Sequence, residues 1–208
     1  MTDVIEILKR VGAILGDGHF VGTSGRHLRT YINKDALFPH TEETARIGQL
    51  LAEVNREYPI EVVVAPALGG IILSQWTAYH LSQLLGRKVL GVYTEKINDQ
   101  QKFTRGHELF VAGKNVLALE DLTTTGGSLK KVIATVQEVG GKVVAASAMV
   151  NRDAQRVNAE TLGVPFSSLG ILPLESYEEK DCPMCALGLM INTQVGHGRK
   201  YLEKNSKK

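Results

Sequence analysis

Two hydrophobic rhythms alternate along the chain. Val4, Ile7, Leu8, Val11, Ile14 and Leu15 recur at helical spacing and predict a first helix that runs to Gly16. Thr41 to Glu57 predicts a second helix, with Thr41 as N-cap, acids in the first turn, and Ile47, Leu50, Leu51 and Val54 on one face. Ile71–Leu85 and Leu129–Val139 predict two more. Between them lie short apolar runs: Glu61–Ala65 with its three valines, Lys88–Val92, Val116–Leu119, Val143–Val150 and Phe166–Leu172. Runs of this kind predict strands buried on both faces.

Strand and helix alternate, so the fold class is α/β: a central parallel sheet flanked by helices. Such sheets bind ligands at the carboxyl ends of their strands. Two loops fall at such ends, Pro66–Gly70 and the stretch that follows Leu119. The N-terminal region is different in kind. His19 to Lys34 predicts two short strands around the Ser24-Gly25 turn. Tyr93–Gly113 is polar and irregular between two strands, which makes it a candidate functional loop.

The chemistry concentrates after Leu119. Glu120 and Asp121 stand where that strand is expected to run out, and Leu122, Thr123, Thr124, Thr125, Gly126, Gly127 and Ser128 follow. Glycines let a ligand approach the main chain. A helix starting there points free N–H groups and a positive dipole end at the loop. Thr124, Thr125 and Ser128 add hydroxyl donors, completing a cradle for one phosphate. Carboxylates repel phosphate but accept hydrogen bonds from neutral hydroxyls. An acid pair beside a phosphate cradle therefore fits a ribose 5-phosphate.

Bulk properties narrow the setting. The chain has 208 residues, 43% hydrophobic and 22% charged, which suits one domain with a small appendage. A net charge of +2 is too small to argue for nucleic acid, and the basic Lys204–Lys208 tail reads as solvated. No apolar run reaches membrane-spanning length and Met1–Lys9 lacks a signal-peptide pattern, so a cytoplasmic protein is expected.

The order strand, two acids, apolar residue, Thr/Gly/Ser loop resembles the PRPP signature of type I phosphoribosyltransferases. Phe20, Ser24-Gly25 and Tyr31-Ile32-Asn33-Lys34 look like the N-terminal hood of the orotate enzymes of that family, and the resemblance extends from Gly18 to Asp153. It implies transfer of ribose 5-phosphate from PRPP to orotate, giving orotidine 5′-phosphate and pyrophosphate, in a homodimer. A hood of about residues 1–40 plus the C-terminal tail would cover the base, above a core of about 41–172. By resemblance, Glu120, Asp121 and Thr123–Ser128 bind PRPP, and Leu68, Gly69 and Gly70 form the pyrophosphate loop. Many orotate enzymes carry a Lys where this chain has Gly69, so backbone amides must act alone there. Tyr93–Gly113 corresponds to the mobile catalytic loop that reaches a neighbouring subunit's site. Its usual cation pattern is not matched, and Lys96, Lys102 and Arg105 are available instead; Lys102 and Arg105, with Asp121, are the catalytic candidates. Arg152, just past a strand end, and Thr124 would contact the base, with Arg152 gripping the orotate carboxylate. Mg²⁺ would be carried by PRPP and water, with no protein ligand. The same chemistry on another base, such as a purine, and a PRPP-sensing regulator without turnover remain alternatives.

Cys182-Pro183-Met184-Cys185 has zinc spacing. A structural site needs four ligands, and His197 is the one other candidate nearby, so uncommitted thiols near the hood and no bound metal are expected.

Overall fold

The apolar runs become central strands because helices cover both faces of the sheet they form. The structure is a computed structural model describing residues 4–22 and 24–205; Thr23 of the Ser-Gly turn, Met1–Asp3 and Ser206–Lys208 of the basic tail lie outside the described residues. In chain order the elements are α1 (Val4–Arg10), β1 (Ile14–Leu15), β2 (Phe20–Val21), β3 (His27–Leu28), β4 (Tyr31–Ile32), α2 (Thr41–Asn55), β5 (Val62–Pro66), α3 (Gly69–Leu85) and β6 (Leu90–Ile97). They continue as β7 (Gln100–Lys102), β8 (Asn115–Thr123), α4 (Gly127–Glu138), β9 (Lys142–Asn151), α5 (Ala159–Leu162), β10 (Phe166–Ile171), β11 (Ser176–Tyr177), α6 (Pro183–Ala186) and α7 (Gly198–Asn205). Among the described residues, no helix is long and apolar enough to cross a membrane.

The chain divides into two compact units, one of Met1–Ile7 with Phe38–Leu172, the other of Leu8–Leu37 with Pro173–Lys208. The larger unit holds a six-stranded sheet in the order β10-β9-β8-β5-β6-β7. Every pairing is parallel except β6 with β7, an antiparallel hairpin. On one face Val62, Val64, Val116 and Ala118 pack with Leu129, Val132, Ile133 and Val136 of α4. The other face carries a polar clasp under α2. Asn55 donates 2.8 Å to Ser147 Oγ on β9, which lies 2.7 Å from Ser167 Oγ on β10.

The strand order sets the site. From β5 the chain passes through α3 to β6 on one side, whereas β8 pairs with the opposite edge of β5 and β9 and β10 follow outward. Direction reverses between β5 and β8. The crevice at their carboxyl ends is where an open α/β sheet receives ligands. The smaller unit is built from two-residue strands, β11-β3-β2 in one antiparallel sheet and β1 with β4 in another.

Several boundaries differ from the sequence reading. Helix α1 stops at Arg10, not Gly16, and Ile14–Leu15 is a strand. Gly12 takes φ +70°, and the amides of Gly12 and Ala13 reach back to the carbonyls of Lys9 and Leu8 at 3.0 and 2.8 Å. That glycine turn closes the helix one turn before the apolar rhythm ends. Thr41 is the first helical residue, and His40 holds the N-cap position without a side-chain bond. Strand β8 runs through Glu120 and Asp121 to Thr123 instead of ending before the acids. Most of Tyr93–Gly113 is regular. Strand β6 continues to Ile97, turns at Asn98-Asp99, both at positive φ, and returns as β7.

Candidate active site

The crevice between β5 and β8 gathers most of the expected residues. On the β5 side, Pro66 ends the strand, the Ala67–Leu68 peptide is cis, and α3 starts at Gly69 with Leu68 as N-cap. The 17-residue helix thus directs its first free amides, those of Leu68, Gly69 and Gly70, at the crevice mouth. On the β8 side, Thr124 and Thr125 are exposed, Gly126 takes φ +73°, and α4 opens at Gly127-Ser128. The Gly127 N–H reaches Thr125 Oγ1 at 3.4 Å, so the loop is tight without being closed. Both expected phosphate cradles are therefore helix N-termini, and they face the same switch point.

The acids lie between them. Glu120 and Asp121 are buried, 6% and 4% exposed, and their charge is met partly by the backbone. Glu120 Oε1 accepts from the Asp121 N–H at 3.1 Å, and Asp121 Oδ1 accepts from the Leu122 N–H at 2.6 Å. As successive strand residues they point to opposite faces of the sheet. Asp121 turns toward α3, where its Oδ2 occupies the space a side chain at Gly69 would need, with the Phe38 ring on the other side. Glu120 shares the face of Val116 and Ala118, toward α4. The pair is a divided one, Asp121 on the α3 side of the sheet and Glu120 on the α4 side. A Cβ at Gly69 would meet Asp121 Oδ2 and stand 2.9 Å from Phe38 Cζ.

Arg152 follows β9 beside the signature loop, its N–H donating 2.8 Å to the Thr123 carbonyl, with Thr123 opposite Asn151 in the sheet. Its neighbour Asp153 pairs with Arg156 at 3.6 Å. The backbone around Arg152 is fixed by Asn151, which accepts from the Asp153 N–H and donates 2.9 Å to the Val157 carbonyl.

Lys102 and Arg105 gather around Glu95 of the β6–β7 hairpin. Lys102 is the cross-strand partner of Glu95, Arg105 Nη2 lies 3.6 Å from its Oε1, and Thr104 donates 2.5 Å to its Oε2. Lys96 is engaged with Asp99 at the turn, 2.7 Å away, and Lys131 of α4 reaches the same carboxylate at 2.9 Å. Buried Gln101 ties the stem down: its Oε1 accepts from Thr94 at 2.8 Å and its carbonyl from Thr135 at 2.7 Å. Glu95, Gln101, Lys131 and Phe38 are the site residues that sequence reasoning missed. The charge pattern of 95–105, with two acids among three cations, was the available signal.

A phosphoribosyl transferase domain matches residues 33–164, and the chain belongs to that family. Among proteins of known activity it is 37% identical over 196 residues, 94% of this chain and 98% of the other, to an orotate phosphoribosyltransferase of Thermotoga maritima. The orotate phosphoribosyltransferase of Thermoanaerobacter sp. is also 37% identical, over 90% of this chain and 93% of its own. In structure, the orotate phosphoribosyltransferase of Aeropyrum pernix superposes with a TM-score of 0.62 at 28% identity, covering 81% of this chain and 93% of that one. The Mycobacterium tuberculosis enzyme gives 0.65 at 26% identity, over 81% and 94%.

Proposed function

We infer that this protein is an orotate phosphoribosyltransferase, joining orotate to the ribose 5-phosphate of PRPP with release of pyrophosphate. The observation that carries this reading is the convergence of two helix N-termini and two buried carboxylates at one switch point, in a chain so similar to orotate enzymes over nearly its whole length.

Each residue then has a task that its surroundings support. The loop Thr123–Ser128 holds the 5-phosphate through amides and the hydroxyls of Thr124, Thr125 and Ser128. Asp121 and Glu120 accept from the ribose hydroxyls. The amides of Leu68, Gly69 and Gly70 take the pyrophosphate, with no lysine between them. The C1–O bond to pyrophosphate breaks as the bond from orotate N1 to C1 forms, and the proton N1 loses passes to the departing pyrophosphate or to water. The developing positive charge on the ring lies near Asp121, and the negative charge on the leaving group is met by α3 and by Lys102 and Arg105. Arg152 pairs with the orotate carboxylate, and Thr124 borders the base. The phosphate and hydroxyl oxygens of PRPP, with water, would hold a hard cation here without a protein ligand. Mg²⁺ carried on PRPP would supply charge neutralisation to the pyrophosphate. A homodimer is the state this reading carries with it.

Pyrophosphate release measured with PRPP and a panel of orotate, uracil, adenine and hypoxanthine tests the reading. Turnover with orotate alone is expected. Turnover confined to a purine replaces the base, and PRPP binding without turnover on any base makes the protein a sensor.

A further inference from the structure

Far along the chain from the signature loop, the smaller unit brings four metal-ligating side chains together. His19 Nε2, His27 Nδ1, Cys182 Sγ and Cys185 Sγ all lie within 4.8 Å of one another. From the sequence, His197 was the one further candidate beside the cysteines and no bound metal was expected; the fold brings His19 and His27 to the cysteines instead. We propose that these four residues bind one structural Zn²⁺ that joins the two chain pieces of this unit.

Strand register explains how the histidines meet. In the β2–β3 hairpin, Phe20 pairs with Leu28 and Val21 with His27, and the Gly18 N–H closes onto the Arg29 carbonyl. His19 is therefore diagonal to His27 on the same face of the ribbon, within reach of long side chains. Their rings are 4.8 Å apart and the facing nitrogens 2.7 Å. The cysteines come from the other chain piece. Cys182 caps α6, Pro183 starts the helix, and the Cys185 N–H points at Cys182 Sγ at 3.5 Å. This first turn puts both sulfurs on one side, with a backbone donor already directed at one of them.

The separations suit a tetrahedral ion. His19 Nε2 stands 3.8 Å from each sulfur, and His27 Nδ1 stands 3.3 Å from Cys185 Sγ. Bonds of about 2.3 Å to sulfur and 2.0–2.1 Å to nitrogen imply edges of roughly 3.3–3.8 Å. The 2.7 Å His–His approach needs to open by about 0.6–0.7 Å, a side-chain adjustment, to reach that geometry. Three of the four residues are buried, and Cys185 is partly so.

Tautomers point the same way. His19 Nδ1 lies 2.7 Å from the Leu189 carbonyl, which can only accept, so the ring proton sits on Nδ1 and the bare lone pair of Nε2 faces the cluster. A backbone carbonyl holding the far nitrogen is the usual orienting partner of a metal-bound imidazole. If His27 carries its proton on Nε2, two lone pairs face each other and require a cation between them. If the proton is on Nδ1 instead, His27 Nε2, buried and without a hydrogen-bond partner, is left as a bare lone pair. Two thiolates and two imidazoles in tetrahedral array select zinc over the harder divalent ions. Four protein ligands leave no open position, so the ion is a staple and not a reaction centre. The need is plain in a unit whose strands are two residues long and whose two chain pieces meet through few elements.

The test uses the full chain, untagged and purified without chelator. Elemental analysis should find one zinc per chain. Chelator extraction should lower the melting transition by roughly 5–15 °C, and added Zn²⁺ should restore it. Cys185→Ser and His27→Ala should each purify with little zinc. Because loss of a ligand can itself unfold the unit, wild-type protein loaded with Co²⁺ gives an independent reading, the intense visible bands of a tetrahedral site with thiolate charge transfer. Less than about a tenth of a zinc per chain, with no uptake and no thermal shift after reduction and addition of Zn²⁺, overturns the proposal. So does a Cys182–Cys185 disulfide that, once reduced, takes up no zinc, or an octahedral cobalt spectrum.

Discussion

Gly69→Ala should weaken PRPP binding although it adds a single methyl group. That methyl would arrive against Asp121 Oδ2 and 2.9 Å from Phe38 Cζ, with no room on either side. To restore ordinary carbon–carbon contact the Phe38 ring must withdraw by about 0.6–1 Å. The carboxylate must move as well, and it is held on its other oxygen by the Leu122 amide at 2.6 Å. Overfilling of this kind costs about 1–3 kcal/mol in a packed site. A displaced Asp121 also loses a charged hydrogen bond to the sugar, worth about 1.5–3 kcal/mol. The affinity for PRPP should fall roughly tenfold to a hundredfold. Isothermal titration with PRPP reads the effect directly, with the melting transition as a control for folding. Gly69→Ala/Phe38→Leu separates the two neighbours, because it makes room on the aromatic side alone. If the double variant recovers full affinity, the ring and not the carboxylate was the obstacle. Unchanged affinity in Gly69→Ala itself would refute the placement of Asp121 against the pyrophosphate loop. Gly69→Lys should be worse than Ala, since the added charge arrives on a stem that has nowhere to go.

Three further outcomes are expected. Arg152→Ala should lower kcat/KM for orotate by roughly thirtyfold to several thousandfold, the cost of a buried carboxylate left unpaired, while PRPP affinity by calorimetry hardly moves. If Lys102 and Arg105 act on the leaving group as proposed, alanine at both should reduce kcat in a steady-state assay with little change in PRPP affinity; an intact kcat makes the hairpin a mere connection. Asn55→Ala should cost about 1–3 kcal/mol in denaturant unfolding, because it strips Ser147 of a buried partner, and should leave the kinetics alone.

The core of the fold was legible because its signals are local. Val62–Val64 and Val116–Leu119 announce two-sided burial, and the Thr/Gly/Ser loop announces a helix start that can take phosphate. The acids were read as lying beyond the strand because charged residues rarely sit inside one. Here the Asp121 and Leu122 amides meet them, so the strand continues to Thr123. Helix α1 was drawn too long because apolar periodicity cannot see that Gly12 turns left-handed. The steric quarrel between Gly69 and Asp121 joins neighbouring strands and has no trace in either stretch. The histidine–cysteine cluster was invisible for the same reason on a larger scale: His19 and Cys182 are 163 residues apart, and the pairing of β11 with β3 brings the second chain piece beside the hairpin that carries the histidines.

The hairpin between β6 and β7 is fastened in two ways that respond to different solvents. Its tip is held by charge, through Asp99 with Lys96 and Lys131. Those two ammonium groups keep the Asp99 carboxyl down at about 2, so the attachment is complete at neutral pH and is lost only as the pH falls toward that value. All three groups are exposed, however, and added salt screens them within about 8–10 Å. The stem is held by Gln101, whose bonds to Thr94 and Thr135 are buried and out of reach of ions. The tip is thus deaf to pH and responsive to salt, whereas the stem ignores both. Added salt should therefore loosen the end of this hairpin while its stem stays in place.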